Sequence, residues 1–169
     1  LAVEKAIRQD EAGYKTLILC RNPRLALFIR RLTEGWDVNT FDFCAWVARI
    51  NRKETQQEAK WTQYATPTED ELLLALENIP KSGEDYDAVI VDEAQDFEED
   101  WWALANAALE ENIDSAVLYI FYDEHQMLVP HELTYPVDLA EHTLQQNIRN
   151  SGKVFEFVAK FHPQSPAPN

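Results

Sequence analysis

Glycine is scarce in this 169-residue chain, which has four: Gly13, Gly35, Gly83 and Gly152. None is followed by Lys-Ser or Lys-Thr, so no phosphate-cradling loop of the G-x-x-x-x-G-K-[ST] type is present. Cysteine is scarcer still. Cys20 sits in an apolar strand-like run and Cys44 on an apolar helix face, which excludes a disulfide framework and predicts reduced thiols in a cytoplasmic setting. The four histidines (His125, His131, His142 and His162) are scattered, and no close cysteine pair joins them, which argues against structural zinc. No apolar run approaches the roughly 18 residues of a membrane span, and no basic, apolar leader opens the chain. Cations are few: 15 Lys and Arg stand against 30 Asp and Glu, a net charge of −15. A surface that coats nucleic acid is basic, so any nucleic-acid contact here must be a local track.

What is present is a substantial apolar fraction, 46% of residues, in a length that suits one domain. The pattern centres on 86–96, Tyr-Asp-Ala-Val-Ile-Val-Asp-Glu-Ala-Gln-Asp. An apolar run, Ala88 to Val91, stops abruptly at Asp92-Glu93. Such a run reads as a buried parallel strand that carries carboxylates to its C-terminal edge, where ligands sit in open α/β sheets. One carboxylate there can hold Mg²⁺ and the next can polarise a water. An acidic first turn of a helix explains the pair equally well when it is taken alone.

The rest of the chain alternates in kind. Leu1, Val3, Ala6 and Ile7 make a short helical stripe closed by Gly13, and 15–20 is a β-type run. Asn22-Pro23 caps a helix whose expected buried face is Leu25, Phe28, Ile29 and Leu32. A short strand near 37–40 precedes a second stripe, Phe43, Trp46, Val47 and Ile50. The polar stretch 52–65 is expected to be a surface excursion or an irregular helix. Overlapping capping boxes at 66–71 open a helix carrying Leu72, Ala75, Leu76 and Ile79, with a turn expected at 80–84. Trp101, Leu104, Ala105, Ala108 and Leu109 predict another helix, and 116–122 a second buried strand ending in Asp123-Glu-His-Gln126. A loop at 130–136, a short strand at 142–144 and a helix after Ser151 complete the pattern, and 163–169 is a Pro-rich tail or linker. The expected fold class is therefore α/β, a mainly parallel sheet covered by helices, with right-handed crossovers setting the polar strand ends on one edge.

Three clusters then align in order: Asp92-Glu93-Ala94-Gln95-Asp96, Asp123-Glu-His-Gln126 and Leu144-Gln-Gln-Asn147-Ile148-Arg149-Asn150. Together they resemble the UvrD/Rep-type superfamily 1 DNA helicases, whose Walker-B motif is Asp-Glu-x-Gln-Asp, followed by Gly-Asp-x-x-Gln and Asn-Tyr-Arg motifs. Cys20 to Ala26 and Val38 to Asp42 resemble that family's strand-contacting segments. The resemblance implies a first RecA-like lobe of the P-loop NTPase fold, lacking its Walker A segment, over 1–162. It implies a motor that couples ATP hydrolysis with Mg²⁺ to movement on single-stranded DNA, completed by a second motor lobe and by a Walker A segment before Leu1. On this resemblance Asp92 holds Mg²⁺, Glu93 is the general base, Gln126 senses the γ-phosphate and Arg149 stabilises its charge. Gln95, Asp96 and Asp123 border the nucleotide, and Asn22, Arg24, Thr40 and Phe41 face the DNA strand.

Departures from the family pattern are specific. Tyr122 replaces the Gly before Asp123, Asp42 replaces a His, Ile148 replaces a Tyr, and Met127-Leu128-Val129 replaces a base-stacking continuation. Without the phosphate loop the fragment alone is expected to be inactive. The alternative is a degenerate helicase-like domain serving as a non-catalytic interaction or regulatory module, which the missing loop and the charge of −15 favour. Trp101-Trp102 is expected to be core rather than a base-stacking platform.

Overall fold

The computed structural model describes residues 1–55, 65–109, 116–123, 140 and 142, with the backbone alone for 53–55. The chain divides into two compact units, Leu1–Pro136 and Val137–Asn169. Every defined element belongs to the first. Residues 143 and 144 of the strand expected at 142–144, residues 56–64 of the polar stretch, the helix after Ser151, the 130–136 loop and the 163–169 tail lie outside the described residues.

In chain order the elements are α1 (Ala2–Glu11), β1 (Thr16–Cys20), α2 (Pro23–Leu32), β2 (Val38–Asp42) and α3 (Phe43–Thr55). They continue with α4 (Glu69–Ser82), β3 (Ala88–Val91), a 3₁₀ turn (Ala94–Asp96), α5 (Trp101–Ala107) and β4 (Val117–Ile120). All strand pairs are parallel, in the order β2-β1-β3-β4. The α/β sheet covered by helices is as the alternation predicts. Among the described residues no helix is long and apolar enough to cross a membrane.

β1 and β3 are buried throughout, as strands covered on both faces must be. Their residues alternate between two apolar layers. Leu17, Leu19, Val89 and Val91 pack with α3, α4 and α5 through Phe43, Trp46, Ala75, Ile79 and Trp101. Ile18 and Ile90 point the other way, to Ala2 and Ala6 of α1 and Ile29 of α2. The aromatic part of the larger layer is ordered: Phe43 stacks on Trp101 at 4.2 Å and 9°, and Phe97 meets both edge-on. Trp101 and Trp102 are both buried, so neither is a base-stacking surface.

Local chemistry explains most boundaries. Asn22 Oδ1 accepts from the Arg24 and Leu25 N–H groups and Pro23 follows at the first helical position, which starts α2. Thr68 and Glu71 form a complete capping box at the start of α4. Three expectations are corrected. The strand expected to be buried at 116–122 is β4, whose residues are all only half-buried, last in the described strand order. The turn expected at 80–84 is the end of α4, which runs through Pro80 to Ser82 and stops at Gly83 in the left-handed region (φ 67°). Pro80 lacks the N–H that would donate to Leu76 O, so α4 forfeits one hydrogen bond in its last turn but is not broken there, and the left-handed glycine ends it. In α2, Phe28 and Leu32 face solvent, while Ala26 and Ile29 face the sheet. Apolar residues cover too much of the α2 circumference to fix its rotation, and small Ala26 permits the closer approach.

Candidate functional site

Because the sheet is parallel, the exits of β1, β2, β3 and β4 share one edge, and acid collects there: Asp42, Asp92, Glu93, Asp96 and Asp123. The Asp92 amide donates to Leu19 O at 2.9 Å, extending the β1–β3 ladder to the last residue before the motif turns. Glu93 then adopts φ 55° and ψ 48°, the sole positive φ at a non-glycine residue among those described. A left-handed glutamate costs about 1–2 kcal/mol relative to a right-handed one, so the surrounding contacts must hold it.

Those contacts form a relay. Gln95, 4% exposed, donates from Nε2 to Glu93 Oε2 at 2.6 Å, and its Oε1 accepts from the Asp123 N–H at 3.1 Å. The Ala94 N–H donates to Phe121 O at 2.9 Å. The turn after β3 is thus fastened to the exit of β4, and a buried amide fixes the Glu93 carboxylate. On the other side Arg21 donates to Asp96 O at 3.0 Å, lies 3.4 Å from Glu98, and sits over the Trp101 ring. Arg21 was not singled out by sequence reasoning. It falls within the Cys20–Ala26 segment, but its pairing with residues some 75 positions away carries no local signal.

The edge is electronegative, and Cys20 reports it. Burial, then the charges of Asp92, Asp42 and Glu93, push its thiol up to about 12. Cys44 is pushed up to about 11, chiefly by burial and then by Asp42. Both cysteines are free thiols, as expected. Asp42 is itself raised by burial, against the opposing hydrogen bond from the Ala45 N–H that caps α3.

Among the described residues no group of three or more His, Cys, Asp or Glu is arranged to hold a metal ion. Mg²⁺ in nucleotide sites takes only one or two carboxylates, its other ligands being water and phosphate oxygens. Asp92, half-buried at the sheet edge beside Glu93, suits that smaller demand.

The structure brings Asp92, Glu93, Gln95, Asp96 and Asp123 together. Gln126 and Arg149 lie outside the described residues. The four candidate strand contacts are spread out. Asn22 spends its side chain on the α2 cap and Arg24 is exposed on the first turn of α2. Phe41 is half-buried beside the Arg30 and Arg49 guanidinium groups, and Thr40 is 3% exposed, its Oγ1 without a hydrogen-bond partner among the described residues. Comparisons of the chain with protein-family models, with curated proteins and with solved structures found no significant match.

Proposed function

We propose that this chain is part of a nucleotide-triphosphatase motor of the UvrD/Rep type, contributing the carboxylate side of an ATP–Mg²⁺ cleft and acting on single-stranded DNA. The observation that carries the proposal is the exit of β3: a buried parallel strand delivers Asp92-Glu93 to the sheet edge, and Gln95 clamps the strained Glu93 to the β4 exit. Asp92 holds the cation, which neutralises charge on the β/γ-phosphates when bound. Glu93 accepts the proton of the attacking water, a task for a fixed carboxylate. Gln95 keeps that carboxylate aimed and makes its position depend on the β4 exit, where the Asp123 segment begins. Gln126 and Arg149 belong to the same scheme as phosphate sensor and charge stabiliser. Asn22, Arg24 and Phe41 are the proposed strand contacts, whereas Thr40, at 3% exposure, is not retained among them.

An ATPase role requires a phosphate loop supplied from outside these 169 residues. That requirement favours a second reading, a helicase-like fold retained as a non-catalytic binding module. ATP hydrolysis by the protein with its flanking natural sequence, with and without single-stranded DNA, separates the two. DNA-stimulated turnover that falls at least ~100-fold in Glu93→Gln, with nucleotide binding retained, is the motor outcome. A folded protein that neither binds nor hydrolyses ATP leaves the binding module.

A further inference from the structure

The corrected rotation of α2 leaves an exposed stripe along its outer face: Arg24, Leu27, Phe28 and Arg31, with Leu27 47% and Phe28 57% exposed. The outer face of α4 has the same arrangement with the opposite charge: Asp70, Leu73, Leu74 and Glu77, with Leu73 54% and Leu74 45% exposed. Both quartets have the spacing i, i+3, i+4, i+7, which puts each on one side of its helix with the charges about 10 Å apart. Among the described residues none of the four charged side chains takes part in an ion pair. α2 carries three arginines and no acid, in a chain whose net charge is −15.

The two stripes cannot meet within one molecule. α2 packs on the sheet face that presents Ile18 and Ile90, whereas α4 packs in the layer with Leu17, Leu19, Val89 and Val91. We infer that α2 of one copy docks antiparallel on α4 of a second copy, so that Arg24 meets Glu77, Arg31 meets Asp70, and the four apolar side chains close between them. Antiparallel packing also sets the helix dipoles favourably. The contact is heterologous, joining two different patches, so it propagates to open chains or a ring and does not stop at a dimer. A single helix pair is small for an interface, below ~1,200 Å², so the association is weak and concentration-dependent.

Sedimentation velocity and light scattering on the protein without nucleic acid test this, together with two charge-reversed variants, R24E/R31E and D70R/E77R. Wild-type weight-average mass should climb past that of a dimer over a roughly hundredfold rise in concentration, and fall as salt is added. Each variant alone should stay monomeric, with circular dichroism unchanged because all four sites are exposed. Mixed in equal amounts the variants should associate again, since an acidic α2 then meets a basic α4 and the wild-type pairing persists at the other end. A monomeric wild type at every concentration overturns the inference. So does association that survives either double substitution, or a mixture that stays monomeric although the wild type assembles.

Discussion

Glu84 is a carboxylate 1% exposed in the larger apolar layer, and its removal has a calculable cost. Its Oε2 accepts from the Tyr86 hydroxyl at 2.6 Å and from Trp46 Nε1 at 3.2 Å, and its Oε1 accepts from Arg49 Nε at 2.9 Å. In Glu84→Ala the Arg49 side chain, 44% exposed, turns to water and leaves no buried charge behind. Trp46 and Tyr86 are buried and have no such recourse. Two orphaned donors at about 1–3 kcal/mol each place the loss on the order of 2–6 kcal/mol. Urea unfolding followed by tryptophan fluorescence and far-UV dichroism measures it. With an m-value of ~2 kcal/mol/M, the midpoint should fall by about 1–3 M. Double-mutant cycles should show coupling of Glu84 to Tyr86 and to Trp46 of at least ~0.5 kcal/mol. A Glu84→Ala protein within ~0.5 kcal/mol of wild type would refute the claim that this carboxylate organises the layer.

Two further outcomes follow from the same structure. Burial, then the hydrogen bond to Glu84, raise the Tyr86 hydroxyl well above its ordinary range. A folded-state pKa above the unfolded value means stability is fully present below about pH 10 and lost as pH rises beyond it; Tyr86→Phe should flatten that alkaline slope in pH-dependent unfolding while losing about 1 kcal/mol near neutrality. On the proposed ATPase reading, and in the protein with its flanking natural sequence, Gln95→Leu keeps the volume roughly constant but strips both the Glu93 clamp and the Asp123 tie, so kcat should drop ~10–100-fold with KM for ATP nearly unchanged; an altered KM at constant kcat would mean that Gln95 serves binding instead.

Periodicity located the described helices and strands because each buries a continuous face. The strand 88–91 was legible from four apolar residues cut off by acid, and α3 from a stripe in which Phe43, Trp46, Val47 and Ile50 are all buried. The rotation of α2 was not legible, since Leu25, Leu27, Phe28, Ile29 and Leu32 offer several apolar faces and only the sheet selects among them. Within the site, the carboxylates were visible as a motif. The left-handed turn at Glu93, the Gln95 relay to Asp123 and the Arg21 anchor were not, because each depends on which strand exits become neighbours. The hub at Glu84 was hidden similarly: Trp46 and Arg49 are 38 and 35 residues away along the chain.

The strand order has a consequence for how the protein is made. β1 is flanked by β2, close behind it in sequence, and by β3, with Thr16 aligned to Ala88. On the ribosome the β1-α2-β2 segment emerges before β3 and can pair at once. The other side of β1, apolar and lined with unsatisfied peptide groups, then waits for the 46 residues from Asp42 to Ala88 to be synthesised, or about 2–9 s at typical elongation rates. During that interval the nascent chain presents an open strand edge, the surface that cellular chaperones recognise and that mispairs most readily with a neighbouring copy.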